Sequence, residues 1–464
     1  MADRLVAWLY DTPTAVLTPG PEFRISLEWR PEAVDRWGAG STALSVGLPI
    51  GAVTGPRDLR GLDFFENILP EGPTLQRMAA LAGVRPADTY GILTAFGRDC
   101  AGAIQVLPEA EQPGTGAGSG YSPMTADDLR QVIGALDVAP LGMAPERGFR
   151  PSLAGFQRKA LLGRSPDGTW LLPSGDAPST WILKPDSPHA MAANEATCLA
   201  LAATCGLKAA DAELLDVHGL PVLAVRRFDR QEKANGPLPV RIHQEDGCQA
   251  TATPPGMKYE EQGGPSLRDF ADVLRTFGDP RDVTDLLRRT TFNIAVGNAD
   301  AHAKNFSILH PADDPVVRLA PLYDVLSTIA LDLRDHLGQP MRADTHMGQR
   351  IGGQTNIQTV AATHLVDEAT RGAYDDEPPQ PSSTTHWTES SPPFPTHPAT
   401  NESSPPSGNK PNASTTKTET DSPSRPRRCS RGGSSPRGDS SHSYMIGLCE
   451  VFDLTLLTAE TGTR

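Results

Sequence analysis

The sequence predicts a mixed α/β chain of two lobes, preceded by a small α+β unit and followed by a segment that does not fold. Three observations carry that expectation. Apolar runs bounded by Gly, Pro and Asp crowd the stretch up to about residue 230, whereas helical spacing dominates after about residue 265. Strands first and helices second is what two lobes with a cleft between them produce. The first 108 residues carry strand and helix patterns of their own. Residues 377–440 hold 13 Pro, 14 Ser and 9 Thr, together 36 of 64 positions, and lack Ile, Leu, Val and Met. Such a segment cannot bury enough apolar surface to offset its chain entropy.

In order along the chain, LVAWLY and FRISLEW alternate as strands do, LQRMAALAG has helical spacing, and GAIQVLP closes a unit over residues 1–108. In EAEQPGTGAGSGYSP, residues 109–123, Gly and Ser replace the periodic apolar positions, which predicts a linker. GTGAGSG does not fit GxGxxG and follows no apolar strand, so it is not read as a nucleotide loop. The body, residues 124–370, opens with KALLG, TWLLP, STWILKP and LPVLAVRRFDR as strands. Between them AMAANEATCLALAATCGL has helical spacing and a Gly stop. SLRDFADVLRTF and VTDLLRRTTFNIAVGN follow as helices, placing the division between lobes near residue 230. Residues 371–464 are the disordered tail, whose apolar stretch YMIGLCEVFDLTLLTAE has no obvious neighbour to pack on.

Composition narrows the function classes. A chain of 464 residues suggests about two to four domains. The formal net charge of -14 and a pI near 5.3 exclude a global basic field for nucleic acid, though not a local patch. No stretch approaches the about 18 consecutive apolar residues of a membrane span, and MADRLVAWLYDTP lacks a signal-peptide layout, so the expectation is a cytoplasmic protein with no membrane partner. Cys100, Cys198, Cys205, Cys248, Cys429 and Cys449 form no CxxC pair or zinc spacing and are read as reduced thiols.

The most informative segment is TFNIAVGNADAHAKNFSILHP, residues 291–311, followed by LAPLYDVLS at 319–327. Asp300 and Asn305 have the D-x-x-x-x-N spacing of a protein-kinase catalytic loop, where the Asp accepts a hydroxyl proton and the Asn binds magnesium. Asp324 fits a second metal carboxylate, since Mg²⁺ takes hard oxygen ligands. Alone, the spacing is weak, because loops also use Asp and Asn as helix caps. The order of motifs strengthens it. Lys184 ends a strand and suits ATP phosphates, or is simply a solvated lysine before Pro185. PSLAGFQRKALL puts Ser152, Ala154 and Gly155 before a strand, where backbone N–H groups can approach phosphate, although any turn contains such residues. VRRFDR, residues 225–230, is equally a hinge against an adenine edge or a salt-bridged strand end.

Taken together, these segments resemble the HipA family of serine/threonine kinases, toxins of bacterial toxin–antitoxin pairs. The resemblance covers about residues 5–366. LSVGLPI, FFENILPEG and FGRDCAGAIQVLP match its N-terminal domain; PSLAGFQRKALL, STWILKP, NEA, VRRFDR, HQEDGCQA, KYEEQGGPS, GNADAHAKNFS and LAPLYDVLS match its body in order. The resemblance implies a protein-kinase-like fold, ATP and Mg²⁺ as cofactors, Asp300 as catalytic residue, and Asn305 and Asp324 as metal ligands. It implies ATP contacts from the phosphate loop (Ala154, Gly155, Phe156, Gln157, Arg158, Lys159), from Lys184, from the hinge (Arg226, Arg227, Phe228), and from Gln244, His302, Ala303, Lys304, Asn305, Tyr323 and Asp324. Ser152 aligns with a serine whose autophosphorylation ejects the phosphate loop; nearly two added negative charges beside ATP make that physically sensible. The implied partners are a HipB-like helix-turn-helix antitoxin, operator DNA mainly through that antitoxin, and a translation-related substrate of the aminoacyl-tRNA synthetase kind.

Two departures stand out. Arg226 replaces an acidic or apolar residue, which matters little if the hinge acts through its backbone. After THMGQRIGGQTNIQTVAATHLVDEA the chain enters the Ser/Pro/Thr tract where relatives continue into C-lobe helices, so the C-lobe is expected to be incomplete, as a reading-frame shift would leave it. Against an active kinase stands a catalytically inactive module that still engages an antitoxin. A metal-dependent hydrolase using Asp300, His302 and Asp324 leaves Lys184 and VRRFDR unexplained.

Overall fold

Leu5, Ala7 and Leu9 of β1 (Leu5–Leu9) turn inward with Ala15 and Leu17 of β2 (Thr12–Pro19). Tyr10 and Asp11 join these strands at positive φ, 48° and 62°, the mirror-image turn that follows strand twist. β3 (Ile25–Trp29) and β4 (Ile104–Pro108) complete an antiparallel sheet ordered β3-β2-β1-β4. α1 (Pro31–Trp37), α2 (Arg60–Glu66), α3 (Gly72–Ala82) and α4 (Thr89–Phe96) accompany it. Phe64, Phe65, Ile68 and Met78 are buried in its core, which continues into Leu141, Phe149, Leu153 and Leu161 of the body. The computed structural model describes residues 4–373 apart from 53–57, 115–117, 188, 233–237, 313 and 334–338. The expected tail lies outside the described residues but for the backbone of 371–373.

The strand-rich lobe is a six-stranded sheet ordered β5-β7-β6-β8-β10-β9. Its strands are β5 (Gly120–Pro123), β6 (Ala160–Arg164), β7 (Trp170–Ser174), β8 (Trp181–Pro185), β9 (Ala212–Val217) and β10 (Leu220–Arg226). Residues 120–123 fall in the expected linker but pair along β7, and Tyr121 donates to Pro178 O at 2.6 Å. An edge strand is held by backbone bonds and needs no apolar alternation, so a Gly/Ser pattern hides it. α5 (Ala126–Gly134) opens on a reciprocal cap between Thr125 and Asp128, and α6 (Met191–Thr204) follows β8.

Beyond the hinge, β11 (Arg230–Gln231) pairs with β12 (Val240–Arg241), and β13 (His243–Asp246) leads into the short α7 (Gly247–Ala250). α8 (Leu267–Phe277) starts on a Ser266–Asp269 capping box and buries Leu267, Phe270, Ala271 and Leu274, an i, i+3, i+4, i+7 stripe. α9 (Pro280–Val296) starts on Asp279 with Pro280 in its first turn and ends at Gly297, φ +76°. That left-handed stop turns the chain straight into the loop carrying Asp300. β14 (Ser307–His310) returns beside β13, β15 (Arg318–Leu319) pairs with β14, β16 (His346–Ile351) pairs with β17 (Gln354–Asn356), and α10 (Ala362–Ala373) packs near α8. Among the described residues no helix is long and apolar enough to cross a membrane.

Candidate active site

The site is built around one ammonium group. Lys184, on β8, donates to Glu195 Oε1 and Oε2 at 2.8 and 2.9 Å and to Asp324 Oδ1 at 2.8 Å. Its side chain is 12% exposed and that of Glu195 only 2%, so α6 presents a carboxylate from its buried face. Against the burial that opposes charge, the Asp324 and Glu195 carboxylates hold the Lys184 ammonium above the ordinary lysine range. Against the same burial, Lys184 brings the Asp324 carboxyl down to about 2. Asp324 also sits at φ 54°, a left-handed conformation costly for a residue with a Cβ and one that gathers at functional sites.

Opposite lies the loop after α9. Asn305 Nδ2 donates to Asp300 O at 3.0 Å, which leaves its Oδ1 without a hydrogen-bond partner among the described residues. Asp300 is open to solvent and its Oδ1 accepts from the Tyr259 hydroxyl at 2.8 Å. Desolvation in the cleft raises its carboxyl above the usual range, with Tyr259 opposing and Asp324 adding. His302 is buried, its ring edge-on to Tyr259 at 5.1 Å, and burial together with Lys258 pushes it down to about 4. It is therefore neutral near pH 7. The loop is backed by β16. Gly348 N–H donates to Ala299 O at 2.8 Å, and a Cβ on Gly348 would lie 2.8 Å from His302 N and 2.9 Å from Ala301 O.

The segment expected to be the phosphate loop, residues 154–159, is docked against the N-terminal sheet unit. Gly155 O accepts from Glu71 N–H at 3.2 Å, and Gly155 has φ +112°. Lys159 Nζ donates to Ala154 O at 2.6 Å inside the loop, and burial with Lys184 nearby pulls this ammonium down to about 8. The Phe156 ring is exposed but lies against Gly72, Gln157 is half-buried, and Arg158 pairs with Asp137 at 3.0 Å on the surface. Ser152 is fully buried, its hydroxyl donating to Ile68 O at 3.2 Å and its N–H to Asp99 O at 2.9 Å.

At residues 225–230 the structure shows the salt-bridged reading in the side chains. Arg227 is salt-bridged inside the protein, donating to Asp229 Oδ1 and Oδ2 at 2.9 and 2.7 Å and to Ser179 Oγ at 2.9 Å. Arg230 joins Asp229 and Asp99, and Arg241 bonds Asp99 as well. The expectation that Arg227 faces a nucleotide is thus corrected for its side chain, which a buried carboxylate pair has drawn inward. Arg226 is exposed and pairs with Glu232. The N–H groups of Arg226 and Arg227 are spent on Asp211 O and Thr180 O, whereas that of Phe228 has no hydrogen-bond partner among the described residues. The Phe228 ring stands 5.5 Å from Tyr323, whose hydroxyl donates to Lys304 O. Lys304 is a second correction. Its ammonium lies 3.1 Å from Asp246 and 2.7 Å from Asn67 Oδ1, away from the cleft, because a buried cation goes to the carboxylate that compensates it. Ala303 is buried beside it and donates its N–H to Lys258 O.

Two features fit a nucleotide. His302 Nδ1 and Gln244 Oε1 are buried with no internal partner, and the positive φ of Gly155 opens a cradle that a Cβ would strain. For a metal, Asn305 Oδ1 and Asp324 offer one amide oxygen and one carboxylate. Mg²⁺ needs little more from protein, since phosphate oxygens and water complete its shell. Among the described residues no group of three or more His, Cys, Asp or Glu lies together as a metal site. Glu195, though inside the quoted NEA segment, is a residue to which sequence reasoning gave no role. Its signal was a lone charge among Ala192, Leu199 and Ala202, the buried stripe of α6.

The chain also matches known proteins. Residues 5–107 match the HipA N-terminal domain and residues 151–377 the HipA-like C-terminal domain. The chain belongs to the HipA family. It is similar to two candidate kinases of Sinorhizobium fredii. The first is 42% identical over 274 residues, 58% of this chain and 64% of the relative; the second is 30% identical over 340 residues, 69% and 76%. The serine/threonine-protein kinase toxin HipA of Shewanella oneidensis is 29% identical over 278 residues, 57% of this chain and 62% of that protein. The match thus spans less than two thirds of the length of the first relative and of the toxin. The solved complex of Shewanella oneidensis HipA, HipB and operator DNA contains a chain of the same fold, with TM-score 0.63 and 24% identity over 79% of this chain and 84% of that one.

Proposed function

We propose that this HipA-family chain is an ATP- and Mg²⁺-dependent serine/threonine protein kinase acting as the toxin of a HipA-type toxin–antitoxin module, with an N-terminal domain over 1–108 and a kinase body over 124–370. The observation that carries the reading is the Lys184 ammonium clasped by Glu195 and Asp324, with Asp300 and Asn305 on the facing loop. This is the ion-pair arrangement that kinase catalysis requires. When bound, ATP with Mg²⁺ supplies a phosphoryl group whose charge the metal helps to spread. Asp300 takes the proton of a serine or threonine hydroxyl, with Tyr259 fixing one carboxylate oxygen and leaving the other free. Lys184 holds the inner phosphates, Asn305 and Asp324 hold the metal, and the Phe228 N–H meets the adenine edge.

Ser152 is the proposed autophosphorylation site. Since it is fully buried, modification requires the 151–159 segment to leave its dock. The names of the Shewanella toxin and of the solved HipA, HipB and operator DNA complex support a toxin with a HipB-like partner; to this we add a cytoplasmic location, operator contact mainly through a helix-turn-helix antitoxin, and a translation-related substrate of the aminoacyl-tRNA synthetase kind. Incubation with γ-labelled ATP and Mg²⁺ tests the activity: label is expected on Ser152 in the wild type and in neither Asp300→Asn nor Ser152→Ala. Equal labelling of all three refutes the kinase reading, and an unlabelled chain that still captures the antitoxin supports the inactive binding module.

A further inference from the structure

An ion pair between two segments to which the sequence assigned no role joins the two loops that bracket the cleft. Lys258 Nζ is 2.7 Å from Glu71 Oε2, with side chains 16% and 22% exposed. Glu71, immediately before α3, donates its backbone N–H to Gly155 O in the phosphate loop at 3.2 Å. Lys258 O accepts from Ala303 N–H in the catalytic loop at 3.1 Å. The neighbouring Tyr259 donates to Asp300 Oδ1 and stacks edge-on against His302. The Lys258 ammonium therefore stands between the loop that cradles phosphate and the aspartate that receives the hydroxyl proton.

Charge is short at that point. Lys184, held by two carboxylates, serves the inner phosphates, Lys304 is committed to Asp246 and Asn67, and Lys159 is folded under its own loop on Ala154 O. His302, two residues after Asp300, is buried and neutral. A transferring phosphoryl group, by contrast, calls for positive charge on its outer oxygens.

We infer that Lys258 is the cation that meets the terminal phosphate of bound ATP, and that Glu71 of the N-terminal unit holds it there until nucleotide arrives. The inference rests on the kinase reading. Lys258 donates N–H to a phosphoryl oxygen; it neither forms nor breaks a covalent bond. Glu71 is an anion beside a site for a polyanion, and Lys258 screens it. Removing the two partners consequently acts in opposite directions. Without Lys258 the terminal phosphate loses a donor and meets a bare carboxylate; without the Glu71 charge the lysine passes wholly to phosphate.

Calorimetric titration of the full chain with Mg²⁺ and either ADP or the β,γ-imido analogue of ATP tests this without requiring turnover. The preference for the triphosphate over ADP is expected to fall about tenfold or more in Lys258→Met, as loss of a charge-assisted bond implies. It should recover in Lys258→Arg and rise in Glu71→Gln. Retained ADP affinity reports an intact site in each variant. An unchanged preference in Lys258→Met, or a fall in both Lys258→Met and Glu71→Gln, overturns the role of Lys258 and leaves the kinase reading standing. Wild-type protein that binds neither nucleotide overturns both.

Discussion

Replacing Asp99 by asparagine removes one negative charge from the buried cluster that ties the N-terminal unit to the hinge. Asp99 accepts from Ser179 N at 3.0 Å, Ser179 Oγ at 2.6 Å, Arg230 Nη2 at 3.0 Å and Arg241, and Arg227 lies 3.7 Å away. The side chains of Asp99, Arg227 and Arg230 are each 1% exposed. Despite the burial that opposes charge, Arg241, Arg230 and Arg227 hold the Asp99 carboxyl well below the usual carboxylate range. Every partner is a donor, so an asparagine amide nitrogen turned toward them finds nothing to donate to. Arg227 and Arg230 would then share Asp229 as their one buried carboxylate and Arg241 would keep only Asp176 O, and burial with Arg227 alongside already pulls Arg230 down to about 10. Breaking such a buried network costs about 3–5 kcal/mol. With an unfolding entropy of about 2.1 cal/mol/K per residue over some 370 folded residues, that lowers the melting temperature by about 4–6 °C. Differential scanning calorimetry of Asp99→Asn beside Glu28→Gln, which disturbs only an exposed pair with Arg4, gives the comparison. A melting temperature within 1 °C of wild type would refute the claim that this cluster clamps the hinge.

Two further outcomes follow from the site and its surroundings. In Glu195→Gln, Lys184 is left to Asp324 alone and shifts toward it; under the proposed kinase function a displacement of about 1 Å costs on the order of a hundredfold in rate, so single-turnover phosphoryl transfer at an unchanged rate contradicts the assignment. His243 is fully buried, donates through Nε2 to Leu44 O at 2.7 Å, and is pushed down to about 3 by burial with His310 beside it. Below an ordinary pKa of 6.5 the unfolded chain takes a proton that the folded site refuses until about pH 3, so stability falls as pH drops through that window. Between pH 6.5 and 4.5 the loss is about 2–3 kcal/mol. Urea midpoints measured across this range should fall less steeply in His243→Gln, and equal slopes would show that His243 is not the group responsible.

The motifs that lie close together in the chain were legible, and the partners that meet across it were not. Asp300, Asn305 and Asp324 stand on two neighbouring segments whose spacing is set by a short loop and a strand, and Lys184 was marked by its place at a strand end. Glu195 pairs with Lys184 from a separate helix, and neither the NEA segment nor its intrusion into an apolar stripe named its partner. Lys258 and Glu71 are 187 positions apart, and Arg230 and Asp99 are 131, distances over which no spacing rule operates. Proximity in sequence also misled. Lys304 sits inside the catalytic-loop motif, yet its direction is set by Asp246 and Asn67 on other elements. β9 and β13 escaped notice because short paired strands carry little periodicity of their own, and β5 because an edge needs none.

The packing of Gly348 bears on how a gene of this kind can decay. The bare backbone of β16 lies flush against Ala301 and His302, so a single added methyl group there presses on the catalytic loop from behind. A descendant could keep every signature residue from Lys184 to Asp324 and still have lost the shape that makes them work. Inheritance of the motif is therefore a weaker guide to a working enzyme than inheritance of the small residue that lets the loop lie flat.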